Sequence, residues 1–211
     1  MTRHLPDGAN TDLPGWVVSG KVPGGGERLK ATMRILSLCG SLREFSSNLS
    51  LLQAAQLLAP TEMAIEIYAD LGQLPHFNPD LESDPPNLIV ELRERVGRAD
   101  GLLISCPEYA RGIPGSFKNA LDWLVGSTTF PGKPVALFNA SPRASAAQAA
   151  LRLVLETMSA HLVEEASITL SLLAKGRDAG AIAADPVMAS QISAALTAFA
   201  KAIRNGGAEV A

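Results

Sequence analysis

From Met33 onward, short apolar runs alternate with amphipathic stretches. Residues 33–39 (MRILSLC) are almost wholly apolar and run into Gly40, the pattern of a strand covered on both faces. Residues 47–59 place Leu51, Leu52, Ala55 and Leu58 near helical spacing, and Pro60 stops that helix. A second strand is predicted over 65–68, followed by a long loop holding Pro75, Pro79, Pro85 and Pro86. Residues 88–98 read as a helix, because Leu88, Leu92 and Val96 recur at every fourth position. The third strand covers 101–106, and Pro114 opens the next helix at the position where its missing N–H costs nothing. Phe117, Leu121 and Leu124 give that helix its apolar stripe. A fourth strand at 134–140, a helix at 146–161 and a fifth strand at 167–173 follow. Asp185 caps a last helix that starts at Pro186 and ends at 205–207.

Strict alternation of strand and helix, without an internal repeat, predicts an α/β fold: a parallel sheet covered on both faces by right-handed crossovers. At 211 residues a doubly wound five-stranded sheet fits, whereas an eightfold barrel needs about 250. Residues 1–32 stand apart, with Pro6, Pro14, Pro23 and the run Gly24-Gly25-Gly26 but little apolar periodicity. They are expected either to be a mobile Gly/Pro-rich extension or to lie upstream of a functional start at Met33, and residues 33–211 form the domain.

Composition narrows the classes of function. With 47% apolar and 18% charged residues, the chain has enough apolar surface for one sizeable core. A net charge of -3 and a pI near 5.6 argue against a nucleic-acid partner, which needs a basic face. No apolar run approaches the roughly 18 residues of a membrane helix. Pro6, Asp7 and Gly8 interrupt what would be a signal peptide, so a cytoplasmic location is expected. Cys39 and Cys106 make neither a disulfide framework nor a metal set.

In an open α/β sheet, ligands bind beyond the carboxyl ends of the strands, at the topological switch point. After the first strand comes GSLREFSSN, residues 40–48, running directly into a helix. A helix N-terminus offers free N–H groups and the positive end of a dipole. Ser41, Ser46, Ser47 and Asn48 add hydroxyl and amide donors, and Arg43 adds a forked cation. This is neither a GxGxxG loop nor a Walker A loop. A plain Ser/Asn helix cap is the bland alternative, but one cap does not need five polar groups, so phosphate binding is the better reading. After the third strand comes PEYARGIPGSFKNALDWL, residues 107–124, where the Pro and Gly spacing suits a stiff loop that approaches a flat ligand closely. Lys118 and Asp122 sit at i,i+4 as a surface pair, and Trp123 belongs to the core or to an interface.

Together these two segments resemble the NADPH-dependent FMN reductase family, flavodoxin-like flavoproteins that reduce flavins, quinones, azo dyes or chromate. The loop from Asp70 to Glu82 is similar to the family's segment after its second strand, and the likeness covers roughly 33–175. The resemblance implies strand order 2-1-3-4-5, bound FMN, and NADPH or NADH as reductant. It assigns Ser41, Arg43, Ser46, Ser47 and Asn48 to the FMN phosphate. Pro107, Glu108, Tyr109, Ala110 and Arg111 fall at the isoalloxazine edge, and Ser141 near the flavin or ribityl chain. Ala110 stands where the family usually has Asn, and Arg143 where it usually has glycines. Arg143 would offset flavin charge or sit over the nicotinamide. The implied function is transfer of a hydride from NAD(P)H to FMN and then to a small-molecule acceptor, with no catalytic side chain named. A homodimer or homotetramer covering Phe77 and Trp123 is implied as well. A flavodoxin-type electron carrier is the alternative, although such carriers resemble this fold with a Thr/Gly-rich phosphate loop and stronger acidity. A third reading, a fold that has lost FMN, draws on Arg143. Cys39 and Cys106 end strands that would be neighbours, His161 falls at a helix end, and His76 lies in a loop that could border the site.

Overall fold

The structure, a computed structural model, describes residues 32–172 and 178–208, so residues 1–31, which carry most of the expected extension, lie outside it. Four strands run parallel at the centre: β1 (Met33–Cys39), β2 (Met63–Ile67), β3 (Gly101–Ser105) and β4 (Pro134–Asn139). The sheet order is β2-β1-β3-β4, continued by β5 (His161–Leu162), with β6 (Ile168–Thr169) also pairing β4. The expected order is therefore found, with the switch point between β1 and β3.

Alternation along each strand divides the apolar residues between two cores. Met33, Ile35, Leu103, Ala136 and Phe138 face one layer, formed by α1 (Ser47–Leu57), α5 (Ala179–Ala184) and α6 (Pro186–Ala208). Leu36, Leu38, Leu102, Ile104, Val135 and Leu137 face the other, formed by α2 (Asn87–Arg98), α3 (Gly115–Val125) and α4 (Ser145–Thr157). The period-2 pleat thus turns a continuous apolar run into two buried faces. Gly101 marks the tightest approach: a Cβ there would lie 2.7 Å from Phe199 Cζ on α6.

The fifth strand departs from the expected 167–173. A single 3₁₀ turn, Glu164–Ala166, breaks it into β5 and β6. Ser167 bridges the break, its Oγ accepting from Leu137 N (3.1 Å) and donating to Val163 O (3.0 Å). Past β6, Leu170 N and Leu172 N still donate to Asn139 O and Ala140 O, and Leu173 lies outside the described residues. The helix expected to reach 161 ends at Thr157, and His161 pairs Pro134 as a strand residue. Asp185 caps α6 as expected, accepting from Val187 N at 3.1 Å, but the helix runs through Gly206 and Gly207 to Ala208. The short α5, capped by Asp178, carried too few residues to show a period.

The proline-rich loop is fastened to α3. Trp123 Nε1 donates to Pro75 O (2.8 Å), and Asn119 both donates to Pro75 O and accepts from Phe77 N. Phe77 meets the Trp123 ring edge-on at 5.0 Å. Trp123 is 0% exposed, so it is core and gives a second protomer nothing to cover. Lys118 and Asp122 do form their ion pair.

Candidate functional site

At the carboxyl ends of β1, β3 and β4 three loops frame a cleft of about 630 Å³. Gly40 lets the first two loops meet, because a Cβ at that position would sit 2.9 Å from Cys106 Sγ. One half of the cleft is built on the N-terminus of α1. Ser46 is the N-cap, with extended φ/ψ and its Oγ accepting from Leu49 N at 3.4 Å. The N–H groups of Ser47 and Asn48 have no acceptor within the helix and are free for a ligand. Ser41 Oγ accepts from Arg43 N, which curls the loop around the helix end. Asn48 is buried, and its Oδ1 accepts from Ser105 Oγ at 2.9 Å, pinning α1 to the end of β3. No carboxylate lines this half, and Arg43 is exposed with no ion pair to a described residue.

The other half is made by the loops after β3 and β4. Tyr109 and Gly112 exchange two backbone hydrogen bonds, closing a two-residue hairpin. Its tip residues, Ala110 and Arg111, have φ of 49° and 66°, the positive pair of a type I′ turn. The left-handed backbone thus falls on Ala110 and Arg111 rather than on the glycines at 112 and 115. Glu108 reaches across the cleft floor: its Oε2 accepts from Ala146 N (2.9 Å) and Ala147 N (3.0 Å) in the first turn of α4. Its Oε1 lies 4.0 Å from Arg111 Nη1, whose side chain is largely exposed. A carboxylate against a helix N-terminus is favoured by both hydrogen bonding and the dipole, so Glu108 clamps two walls together. In the third wall Asn139 Oδ1 accepts from Ser141 N, and Ser141 Oγ accepts from Arg143 N at 3.2 Å.

Of the residues marked in the sequence, Ser41, Arg43, Ser46, Ser47, Asn48, Pro107, Glu108, Tyr109 and Ser141 line this one cleft. Ala110 and Arg111 do not; they form the hairpin tip beyond it. Arg143 lines it too, joined by Phe45, Asn139, Ala140 and Ala144, which the sequence reading passed over. Phe45 had a signal, being an aromatic residue inside a polar loop. Asn139 had none, since it ends an apolar strand.

Both cysteines are buried, and they face opposite sides of the sheet. Burial raises the Cys39 thiol, against weaker lowering by its bonds to Ser41 and Ser46. Burial, then the neighbouring Cys39, pushes Cys106 up to about 12. Neither is a thiolate at neutral pH, so neither is a nucleophile. Among the described residues no cluster of three His, Cys, Asp or Glu side chains is set to hold a metal.

A family profile described as NADPH-dependent FMN reductase matches residues 33–175. A 2-hydroxy-1,4-benzoquinone reductase from Burkholderia is 39% identical over 112 residues, 52% of this chain and 61% of that protein. An NAD(P)H-dependent FMN reductase from Pseudomonas aeruginosa is 34% identical over 153 residues, 70% of this chain and 82% of the relative. Among solved structures, the FerB flavoenzyme NAD(P)H:(acceptor) oxidoreductase from Paracoccus denitrificans superposes with a TM-score of 0.69 at 30% identity. That match covers 83% of this chain and 99% of the other. The chain spans about six tenths of the length of the quinone reductases it matches, 61% and 58% for the first two.

Proposed function

The chain belongs to the NADPH-dependent FMN reductase family, and from that premise we propose that it is an NAD(P)H-dependent, FMN-containing oxidoreductase that reduces a small-molecule acceptor such as a quinone or a free flavin. One observation carries the reading. The cleft joins an acid-free helix N-terminus, ringed by Ser41, Ser46, Ser47 and Arg43, to a strained hairpin wall topped by Tyr109. That donor set fits FMN: a dianionic phosphate suits the α1 terminus, and a flat ring suits backbone-lined loops. The cleft also has the size range of cofactor sites, roughly 300–1,000 Å³.

Bound FMN supplies the hydride chemistry, and the protein supplies position and electrostatics. Ser46 and the free N–H groups of Ser47 and Asn48 hold the phosphate, and Arg43 adds a charge-assisted contact. Pro107 to Tyr109 present backbone to the ring edge, while the Glu108 clamp keeps that loop and the Ser141 loop at a fixed separation. Tyr109, 48% exposed, stands on the rim where reductant and acceptor enter in turn. The carrier alternative is not favoured, since relatives matching over half or more of the chain are named as reductases.

A visible spectrum tests the proposal directly. Purified protein given FMN and then NADPH without oxygen is expected to show bound-flavin absorbance that bleaches promptly. Bleaching only by dithionite would make it a carrier, and no flavin uptake would remove the family's function from this chain. Arg43→Ala is expected to weaken FMN by roughly 1.5–3 kcal/mol in a fluorescence titration, the worth of a charge-assisted hydrogen bond. Since Arg43 is exposed and makes no ion pair within the described fold, the thermal midpoint should stay unchanged.

A further inference from the structure

A reductase of this kind must hold two ligands at once, and the residues given to FMN leave part of the cleft unexplained. Phe45 is 83% exposed, the highest value among the large apolar side chains that are exposed, and it lines the cleft at the α1 end. Arg143 lines the opposite wall, exposed, with no ion pair to a described residue. Glu44 beside Phe45 is exposed as well but does not line the cleft. An aromatic face and an unpaired guanidinium across one groove are the means by which proteins hold a base and its phosphates.

A nicotinamide dinucleotide is long, with a reacting ring at one end and an adenylate at the other. Its nicotinamide has to reach the Pro107–Tyr109 wall, so the adenylate must leave in one of two directions. Across the loop after β4 lies a groove of about 470 Å³ lined by Pro142, Ser145, Gln148, Arg152 and Thr169. Apart from Ser145, its polar groups are already engaged: Arg152 is paired with Glu164, Gln148 donates to Cys106 O, and Thr169 Oγ1 accepts from Asn139. A phosphate there would have to compete with a carboxylate. Within the cleft itself, Arg143 on one wall makes no ion pair with a described residue, and Phe45 on the other leaves its aromatic face bare.

We propose that Phe45 and Arg143 form the seat for the adenylate half of the nicotinamide dinucleotide, Phe45 stacking on the adenine and Arg143 contacting its phosphates. This rests on FMN occupying the floor of the same cleft. It assigns Arg143 to the reductant rather than to the flavin, and it makes Phe45 a specificity residue for dinucleotides over mononucleotides.

The test compares NADPH with reduced nicotinamide mononucleotide, which carries the same reacting ring without the adenylate, using the FMN-loaded full chain and saturating 1,4-benzoquinone. Phe45→Ala and Arg143→Gln are each expected to raise KM for NADPH roughly 5- to 30-fold, the scale of one lost base stack or phosphate contact, with kcat changed less than about twofold. KM for the mononucleotide should not move, and Arg152→Gln should leave both donors unaffected. Equal effects on both donors, no effect on either, or a KM increase confined to Arg152→Gln would overturn the assignment. Wild-type protein that takes up no FMN would defeat the parent reading before any variant is compared.

Discussion

At the scale of single residues, the hairpin tip shows a local cost held in place by its surroundings. Ala110 and Arg111 adopt positive φ without the side-chain chemistry that favours it, and a left-handed non-glycine residue costs about 1–2 kcal/mol. Asn tolerates that backbone better because its short amide bonds locally. Ala110→Asn is therefore expected to stabilise the protein by roughly 0.5–1 kcal/mol, read as a higher denaturant midpoint at unchanged slope. Two buried acids make a second prediction. Tyr68 is pushed up to about 12 by burial and then by the charges of Asp70 and Glu91, and its hydroxyl has no hydrogen-bond partner among the described residues. Cys106 is likewise pushed to about 12 by burial. The unfolded chain releases these protons near the ordinary values of 9.0 for the thiol and 10.0 for the phenol, while the folded chain holds them to about 12. Stability is thus fully present below pH 9 and falls as pH climbs through that window. Denaturation midpoints between pH 8 and 11 check the sign, and a thiol reagent at pH 8 should label Cys39 and Cys106 only after unfolding.

Among the elements, the cleft depends on two clamps that join pieces distant in sequence. Glu108 ties the loop after β3 to α4, and Asn48 ties α1 to Ser105 on β3. Glu108→Ala removes the acceptor for two helix N–H groups and is expected to cost about 1–2 kcal/mol, as lost N-terminal caps do. Gln at the same position keeps an acceptor oxygen and should recover part of both stability and FMN affinity, measured by denaturation and flavin titration. The α6–sheet contact is tighter still. Gly101→Ala would place a methyl 2.7 Å from Phe199 Cζ, and overpacking of this kind costs roughly 1–3 kcal/mol. A thermal midpoint lowered by several degrees, with FMN affinity preserved, is the expected outcome, because Phe199 packs away from the cleft.

For the molecule as a whole, the two cores explain why the site lies where it does. With helices sealing both faces of the sheet, open backbone and loop side chains gather beyond the strand ends, and crossovers that part at the switch point leave a crevice there. Much of this could be read from the chain alone. Alternating apolar runs specify strands and helices through local periodicity, and their strict alternation specifies parallel pairing. The polar loop 40–48 before a helix marked a candidate site by residue type, and nine of the eleven residues marked for the site line one cleft. What tertiary structure decided depended on contacts far apart in sequence. Ser167 takes over a backbone bond from β4 and so splits the fifth strand, which no local pattern records. Trp123, open to two readings by composition, is buried because Pro75 and Phe77 fold back onto it. Glu108, read as a ring-edge residue, has its carboxylate at the α4 N-terminus 38 positions away. Periodicity is a property of neighbours along the chain and survives in the sequence. A hydrogen bond between loops exists only once the sheet has brought their ends together.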